Sequence, residues 1–543
     1  MAGSLPHPLG IPSDRTGVRN SFTRIWPIWL ALTLCGCNPE FKVREHSEHS
    51  GRVGLTKPNL THAAAAWGTL RAGRLPGAEA LADYNRVTLA ASLEIREPGR
   101  TPLGREFTIT TSAGPVAARL VPRNVANPEH IGELLPADFL VVKRGFDRDN
   151  SIAGVGISLL AHQNASTEDP FLPETGLWYP LTAILNLDEP DRPLLELYDP
   201  SRASGGLDGR SNLPFTASYT TALARDFQDR QFLFPKLPAI LKFEKFADRL
   251  GAYRLTPFAP EKEVCLFVHG IYSTPITWHE TINDLLADPA IRERYEFWSF
   301  GYPTGAPIPY LAAELRRSIG ELMDYRNTHG AAISELTLVG HSMGGLLAKS
   351  MTQRGGDAEW NRICTVPFKK VNLTPEEREL VRRLIYYEPV AGVKKVIFCA
   401  TPHRGSTIAE VSLTNALAGL IQMPVQLSQI SQHILQHNRE VLTPLGIELI
   451  ENNATSIAQL RPNSPLLSGF FDKPLHPAVK YYSVIANDSP PNVPLSESTD
   501  GVVEYRSSHL EGVVSEDIVT PSKHGVHRTE AGIEAIHLIL AQP

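Results

Sequence analysis

Residues 336–349 read Leu336-Thr337-Leu338-Val339-Gly340-His341-Ser342-Met343-Gly344-Gly345-Leu346-Leu347-Ala348-Lys349. The first four residues form an apolar run suited to a strand buried on both faces, and the last five suit a helix. Between them stands G-x-S-x-G, which composition alone would produce in roughly one chain in five of this length. The flanking strand and helix make it specific, because a strand-turn-helix lifts Ser342 to the tip of a sharp turn. A Cβ on either side of that turn would collide with neighbouring backbone, which is what Gly340 and Gly344 avoid. The helix start aims N–H groups, that of Met343 among them, and a positive dipole end at any oxygen reacting there.

Working outward, four further apolar runs read as buried strands: Val264 to Val268, Tyr295 to Phe300, Val396 to Cys399 and Val479 to Ala486. Helical faces lie between them. Trp278, Ile282, Leu285 and Leu286 share one, and Leu311, Leu315, Ile319 and Leu322 share another. Thr374-Pro375-Glu376-Glu377 has the spacing of a capping box with Pro at the first helical position. Strand-helix alternation predicts an α/β class: a doubly wound, mostly parallel sheet whose site lies beyond the C-terminal strand ends.

A serine hydroxyl needs a base, and acyl transfer builds negative charge on an oxygen that needs donors. After the first strand, His269-Gly270-Ile271 lets the backbone turn so that the Ile271 N–H can face that of Met343. The acid and base are expected later in the chain, in that order. Asp500, in Thr499-Asp500-Gly501, competes with Asp488 for the acid, and Asp-Gly is also a common turn pair. For the base, His524 and His527 compete, with His509 behind them. His341 and His403 read as pocket lining.

The stretches VHGIYSTPITW (268–278), ADPAIRERYEFWSFGYPTGAPIPY (287–310), LVGHSMGGLLAKSM (338–351), VIFCATPHRGS (396–406), STDGVVEYRSSHLEG (498–512) and SKHGVHRTEAGIEAI (522–536) stand in one order. Residues 255 to 540 thereby resemble the bacterial esterase/lipase family of the α/β-hydrolase superfamily. The resemblance implies Ser342 as nucleophile, Asp500 as acid and His524 as base; the local pattern itself puts Ile271 and Met343 at the oxyanion hole and His269, Gly270, Gly340, His341 and Gly344 in elbow and pocket. Gly525 stands where relatives often have Ser, and Glu504 where they often have Pro; neither is a triad atom. Carboxylic ester hydrolysis on lipid or acyl esters, without a cofactor, is implied; an acyltransferase with the same triad, or an inactive envelope protein of this fold, are the alternatives. No H-E-x-x-H or Cys/His quartet suggests a metal.

Upstream, Arg15, Arg19 and Arg24 precede the apolar run 25–34, too short to span a bilayer but laid out as a secretory signal. Leu34-Cys35-Gly36-Cys37 resembles the bacterial lipobox, so 1–36 are expected as signal peptide, with Cys37 lipidated and anchoring the protein to a membrane of the cell envelope, the outer one favoured. Residues 37–59 read as a tether. Residues 60–254 read as a smaller, mostly β domain opening with an Ala-rich helical hairpin broken at Leu75-Pro76-Gly77. The hydrolase-like part is expected over 255–543, with a cap or lid insertion over 407–478 that includes the run Ala416 to Ile421.

Composition closes other routes. The 543 residues carry 52 Lys+Arg against 58 Asp+Glu, a formal charge of -6, which gives no basic field for nucleic acid. Five cysteines, with Cys265 and Cys399 on expected core strands and Cys364 between elements, make no disulfide framework, so stability must come from buried cores.

Overall fold

The computed structural model describes residues 41–45, 57–95, 103–104, 106–202, 207, 213–231, 243–331, 335–407, 424–451, 455–462, 464–468 and 472–543. The signal-like segment, Cys35, Cys37 and the apolar run at 416–421 lie outside the described residues.

The N-terminal part opens with two helices, α1 (Leu60–Arg71) and α2 (Ala78–Leu93). Asn59 caps the first, its side-chain oxygen accepting the Thr61 N–H at 3.0 Å. Six strands follow: β1 (Glu106–Thr111), β2 (Gly114–Pro122), β3 (Ile131–Pro136), β4 (Ile157–Gln163), β5 (Leu177–Asn186) and β6 (Leu194–Tyr198). They form one sheet in the order β1-β2-β6-β5-β4-β3. Trp67, Leu70, Tyr84 and Val87 from the helices pack into one core with Ile157, Leu159, Leu181 and Ala183 from the sheet. Leu140–Arg144 stands outside this sheet and pairs with Lys42–Glu45. Phe41 beside it is 2% exposed and packs on Phe227 at 5.4 Å. The stretch expected as a tether is therefore docked on the protein at 41–45, because an aromatic among polar residues finds a pocket that no periodicity announces.

Helix α3 (Tyr219–Arg230) joins the halves. The C-terminal sheet contains β7 (Gly251–Arg254), β8 (Glu263–Val268), β9 (Tyr295–Gly301), β10 (Leu336–His341), β11 (Val393–Cys399), β12 (Lys480–Ala486) and β13 (Ser515–Val519). The order is β7-β9-β8-β10-β11-β12-β13, with β7 antiparallel to β9 and every other pair parallel. The sheet starts before residue 255, since β7 pairs with β9.

Alternation along β8 shows why both faces are covered. Val264, Leu266 and Val268 point into one core with helix α4 (Ile308–Thr328) and α5 (Met343–Ser350), whereas Cys265 and Phe267 point into the opposite core. That second core holds Trp278, Ile282 and Leu285, the terminal helix residues Ile536 and Leu540, and Tyr219, Leu223 and Phe227 of α3. Phe171, from the N-terminal part, enters the first core against Trp298 at 5.2 Å. Asp169 two residues earlier makes a buried ion pair with Arg254. The halves thus share cores rather than merely touch.

Two insertions build a further layer on the α4 face. The first, between α5 and β11, contains α6 (Pro375–Ile385), whose capping box is formed: Thr374 Oγ1 accepts the Glu377 N–H at 3.2 Å and Glu377 Oε2 accepts the Thr374 N–H at 2.9 Å. The second, between β11 and β12, contains α7 (Val425–His437) and α8 (Pro444–Glu451). They are stitched together where the Thr365 N–H donates to Val441 O at 2.8 Å. The second insertion is also tied to the sheet's upper edge, where the Ile308 N–H donates to Gln459 Oε1 at 2.7 Å.

Candidate active site

β10 ends at His341 and α5 begins at Met343, which leaves Ser342 on the turn with φ 53° and ψ −125°. A non-glycine residue held there costs about 1–3 kcal/mol. The surroundings over-determine the turn: the Ser342 N–H donates to Cys399 O at 2.9 Å, and the Gly345 N–H donates to Ser342 O at 3.0 Å. Close packing requires the flanking glycines. A Cβ on Gly344 would stand 2.2 Å from Val268 O, and one on Gly340 would stand 2.6 Å from Gly344 O.

The turn after β8 reaches the same point. A Cβ on Gly270 would lie 2.9 Å from Ser342 Cβ, so His269-Gly270-Ile271 runs directly beside the serine. Met343 is the first residue of α5, so its N–H has no acceptor within the helix. The Tyr302 hydroxyl donates to His269 O, and the two rings stack with centroids 4.1 Å apart. His269 Nδ1–H donates to Gly270 O at 3.0 Å. Ile457 packs on Ile271 and Tyr272, laying the second insertion over this turn. The contribution of Tyr302 is not visible in the sequence, where FGYPTG shows only a strand end and a turn.

Burial pushes His269 down to about 4 from 6.5, so it is neutral when the protein is folded at neutral pH. Between those values the unfolded chain binds a proton that the folded one does not, so stability rises with pH. The contribution is complete above about pH 6.5 and about 3 kcal/mol of it is lost as pH falls toward 4. Thermal melting from pH 7.5 down to 4.5 checks this: His269→Gln should flatten the acid-side loss of Tm, and a slope equal to the parent's would contradict it.

Asp500 and His524 meet beside the elbow. His524 Nδ1–H donates to Asp500 Oδ2 at 2.8 Å, and the residues are 5% and 3% exposed. Asp500 Oδ1 accepts two backbone N–H groups, from Val502 at 2.8 Å and Val503 at 2.7 Å, a turn that the Asp-Gly pair initiates. The rivals are engaged elsewhere. Asp488 is exposed. His509 Nδ1 faces Glu516 Oε2 at 2.8 Å. His527 Nε2 meets Thr277 Oγ1 at 2.9 Å, and its ring packs on Trp278.

His341 does more than line a pocket. Its Nε2–H donates to His524 O at 2.9 Å, and its ring lies 4.0 Å from that of His527, so it braces the segment carrying His524. Burial holds His341, His403 and His527 well below the usual imidazole value. His403 packs edge-on against Phe398 at 4.7 Å. Among the described residues, no three His, Cys, Asp or Glu side chains are gathered as metal ligands. Cys265, Cys364 and Cys399 are buried free thiols; Cys364 ends the helix Asp357–Ile363 and bridges to Leu442.

Strand order, the Ser342 turn and the hydrogen-bonded pair Asp500 and His524 now stand together, and residues 265–496 match the model of the alpha/beta hydrolase family. The C-terminal half has the α/β-hydrolase fold. Solved structures similar to the hydrolase half include the mature lipase BlEst2 of Bacillus licheniformis, at 15% identity over 53% of this chain and 96% of that one with a TM-score of 0.31. The metagenomic carboxyl esterase MGS0156 aligns at 14% identity over 53% of this chain and 78% of that one, TM-score 0.29. The lipase of Staphylococcus hyicus aligns at 14% identity over 53% and 95%, TM-score 0.31. No curated protein matches the sequence. The N-terminal part, β7 and residues 497–543, which carry Asp500 and His524, lie outside the family match.

Proposed function

We propose that the protein is a serine hydrolase cleaving carboxylic esters of lipid or acyl type through an acyl-enzyme. The observation that carries this reading is the His524 Nδ1 to Asp500 Oδ2 bond at 2.8 Å beside a serine held at φ 53°. In the proposed reaction His524 Nε2 takes the Ser342 proton as Oγ attacks the carbonyl carbon. The oxyanion is received by the N–H groups of Met343 and Ile271, and Asp500 stabilises the imidazolium. His524 then protonates the leaving alcohol. Water, deprotonated by the same base, attacks the acyl-enzyme and releases the acid.

The lipobox-like Leu34 to Cys37 supports attachment of this enzyme to the cell envelope through a lipidated Cys37. The docked Phe41 is the fourth residue after Cys37, a span of at most about 14 Å, so a lipidated chain would rest against its membrane.

A series of aryl esters of increasing acyl length tests the catalytic reading, together with labelling by a fluorophosphonate probe. Turnover with a defined length optimum and labelling lost in Ser342→Ala are expected. Labelling without hydrolysis, but with product when an alcohol or amine is supplied, would replace hydrolysis by acyl transfer; no labelling would make the fold a dead one. Cys37→Ala should move the protein from the membrane to the soluble fraction, and retention at the membrane would remove the anchor from the reading.

A further inference from the structure

A cavity of about 200 Å³ lies between α4, the end of α5, α6 and the two cap helices α7 and α8. None of Ser342, Asp500, His524, Ile271 or Met343 lines it. Its walls are aliphatic and aromatic, formed by residues such as Trp360, Leu384, Ile430 and Leu449, and Arg316 is the one charged side chain among them.

Arg316 has an unusual position for a guanidinium. It lies flat over the Tyr387 ring at 4.1 Å, and one Nη donates to Ser350 O, the C-terminal carbonyl of α5, at 3.1 Å. Its Nε is buried with no hydrogen-bond partner, and among the described residues no carboxylate pairs with it. Glu314 and Glu321, two of the three acids on the same helix, bond to Arg317 and not to Arg316. Burial brings Arg316 down to about 10, which still leaves it charged at neutral pH. Arg316 as a whole is partly buried, but its Nε is shut off from water and the guanidinium has no counterion among apolar walls, which is costly, and helix capping with the ring contact occupies only part of its donor set. The Nη hydrogens left over suit a carboxylate, and the walls suit a hydrocarbon chain.

We propose that this cavity is a second binding site, separate from the hydrolase centre, that takes a single-chain fatty acid with its carboxylate on Arg316 and its chain between α4 and the cap. Ser350 lies eight residues beyond Ser342 along α5, about 12 Å at helical rise, so the bound carboxylate sits away from the reacting hydroxyl. An occupied cavity would tie both insertions to α4, since its walls come from all of them.

The test is calorimetric titration of the purified full chain with dodecanoate and with dodecanol, below micellar concentrations. Dodecanoate should bind at least about tenfold more tightly than the alcohol, the size of one charge-assisted contact. Arg316→Met should abolish that advantage while leaving dodecanol binding unchanged, and Arg316→Lys should retain part of it. Ile430→Trp, which fills the cavity, should weaken both ligands. Equal affinity of acid and alcohol for the parent protein would overturn the proposal, as would undiminished dodecanoate binding in Ile430→Trp. Should Arg316→Met fail to fold, the parent comparison and the Lys and Trp variants still decide.

Discussion

Ser342→Ala should lower kcat on an aryl ester by about 10⁶-fold, as nucleophile removal does in other triads, with KM nearly unchanged. That factor corresponds to about 8 kcal/mol of barrier. It is large because, in the proposed mechanism, the acyl-enzyme route disappears altogether: neither His524 nor the N–H groups at Met343 and Ile271 replace the Ser342 oxygen there. What persists is attack by water assisted by the oxyanion donors, about 10³–10⁴ over the uncatalysed rate. The substitution separates chemistry from folding. Alanine at φ 53° carries the same backbone strain as serine, and the two hydrogen bonds that hold the turn are made by backbone atoms that alanine retains. The melting temperature should therefore stay within a few degrees, and fluorophosphonate labelling should vanish. A purified, folded Ser342→Ala that turns over at the parental rate would remove Ser342 from the reaction.

Much of the hydrolase half is legible in its residues alone. The five buried runs become β8, β9, β10, β11 and β12, because strands covered on both faces need continuous apolar sequence and that pattern has few other readings. The two remaining members of the sheet, Gly251–Arg254 and Ser515–Val519, escape because they lie at its edges. Ser-Glu-Asp-Ile-Val is polar and half exposed, and only pairing with β12 makes it a strand. In the N-terminal sheet β2 and β3 escape likewise: Gly114–Pro122 and Ile131–Pro136 carry Gly, Pro and charged residues that dilute the β signal. At the site, the elbow is legible because its chemistry is local, a strand, two glycines and a helix within 14 residues. The candidate acid and base are legible only through the resemblance of the segments at 498–512 and 522–536, since Asp500 and His524 lie 158 and 182 residues beyond Ser342. Spacing over that distance cannot tell Asp500 from Asp488 or His524 from His527. The resemblance names Asp500 and His524, and the folded chain brings those two side chains together, while Asp488 is exposed and His527 meets Thr277.

That distinction sets up the second large effect. Asp500→Asn should lower kcat by about 10⁴-fold, although it leaves the shape of the site intact. Asp500 Oδ1 accepts the N–H groups of Val502 and Val503, and Oδ2 accepts the Nδ1–H of His524. An asparagine can satisfy the two backbone donors only with its carbonyl oxygen, which turns its NH₂ toward His524. The imidazole must then present a bare Nδ1 to that NH₂ and carry its proton on Nε2, the nitrogen that has to receive the Ser342 proton. The flipped amide restores the tautomer but aims NH₂ at two N–H groups, leaving all three donors without acceptors in a buried turn, which is the costlier state. The favoured orientation therefore disables the base while shape is preserved, so binding and Tm should change little. His527→Ala is the necessary contrast. Its ring is held by Thr277 and packs between Trp278 and His341, so its loss should cost stability through a cavity, about 2–4 kcal/mol, and less than tenfold in kcat. If His527→Ala instead matched Asp500→Asn in lost turnover while remaining folded, the base would be His527, and the 2.8 Å bond between His524 and Asp500 would be a structural tie rather than the source of the reaction.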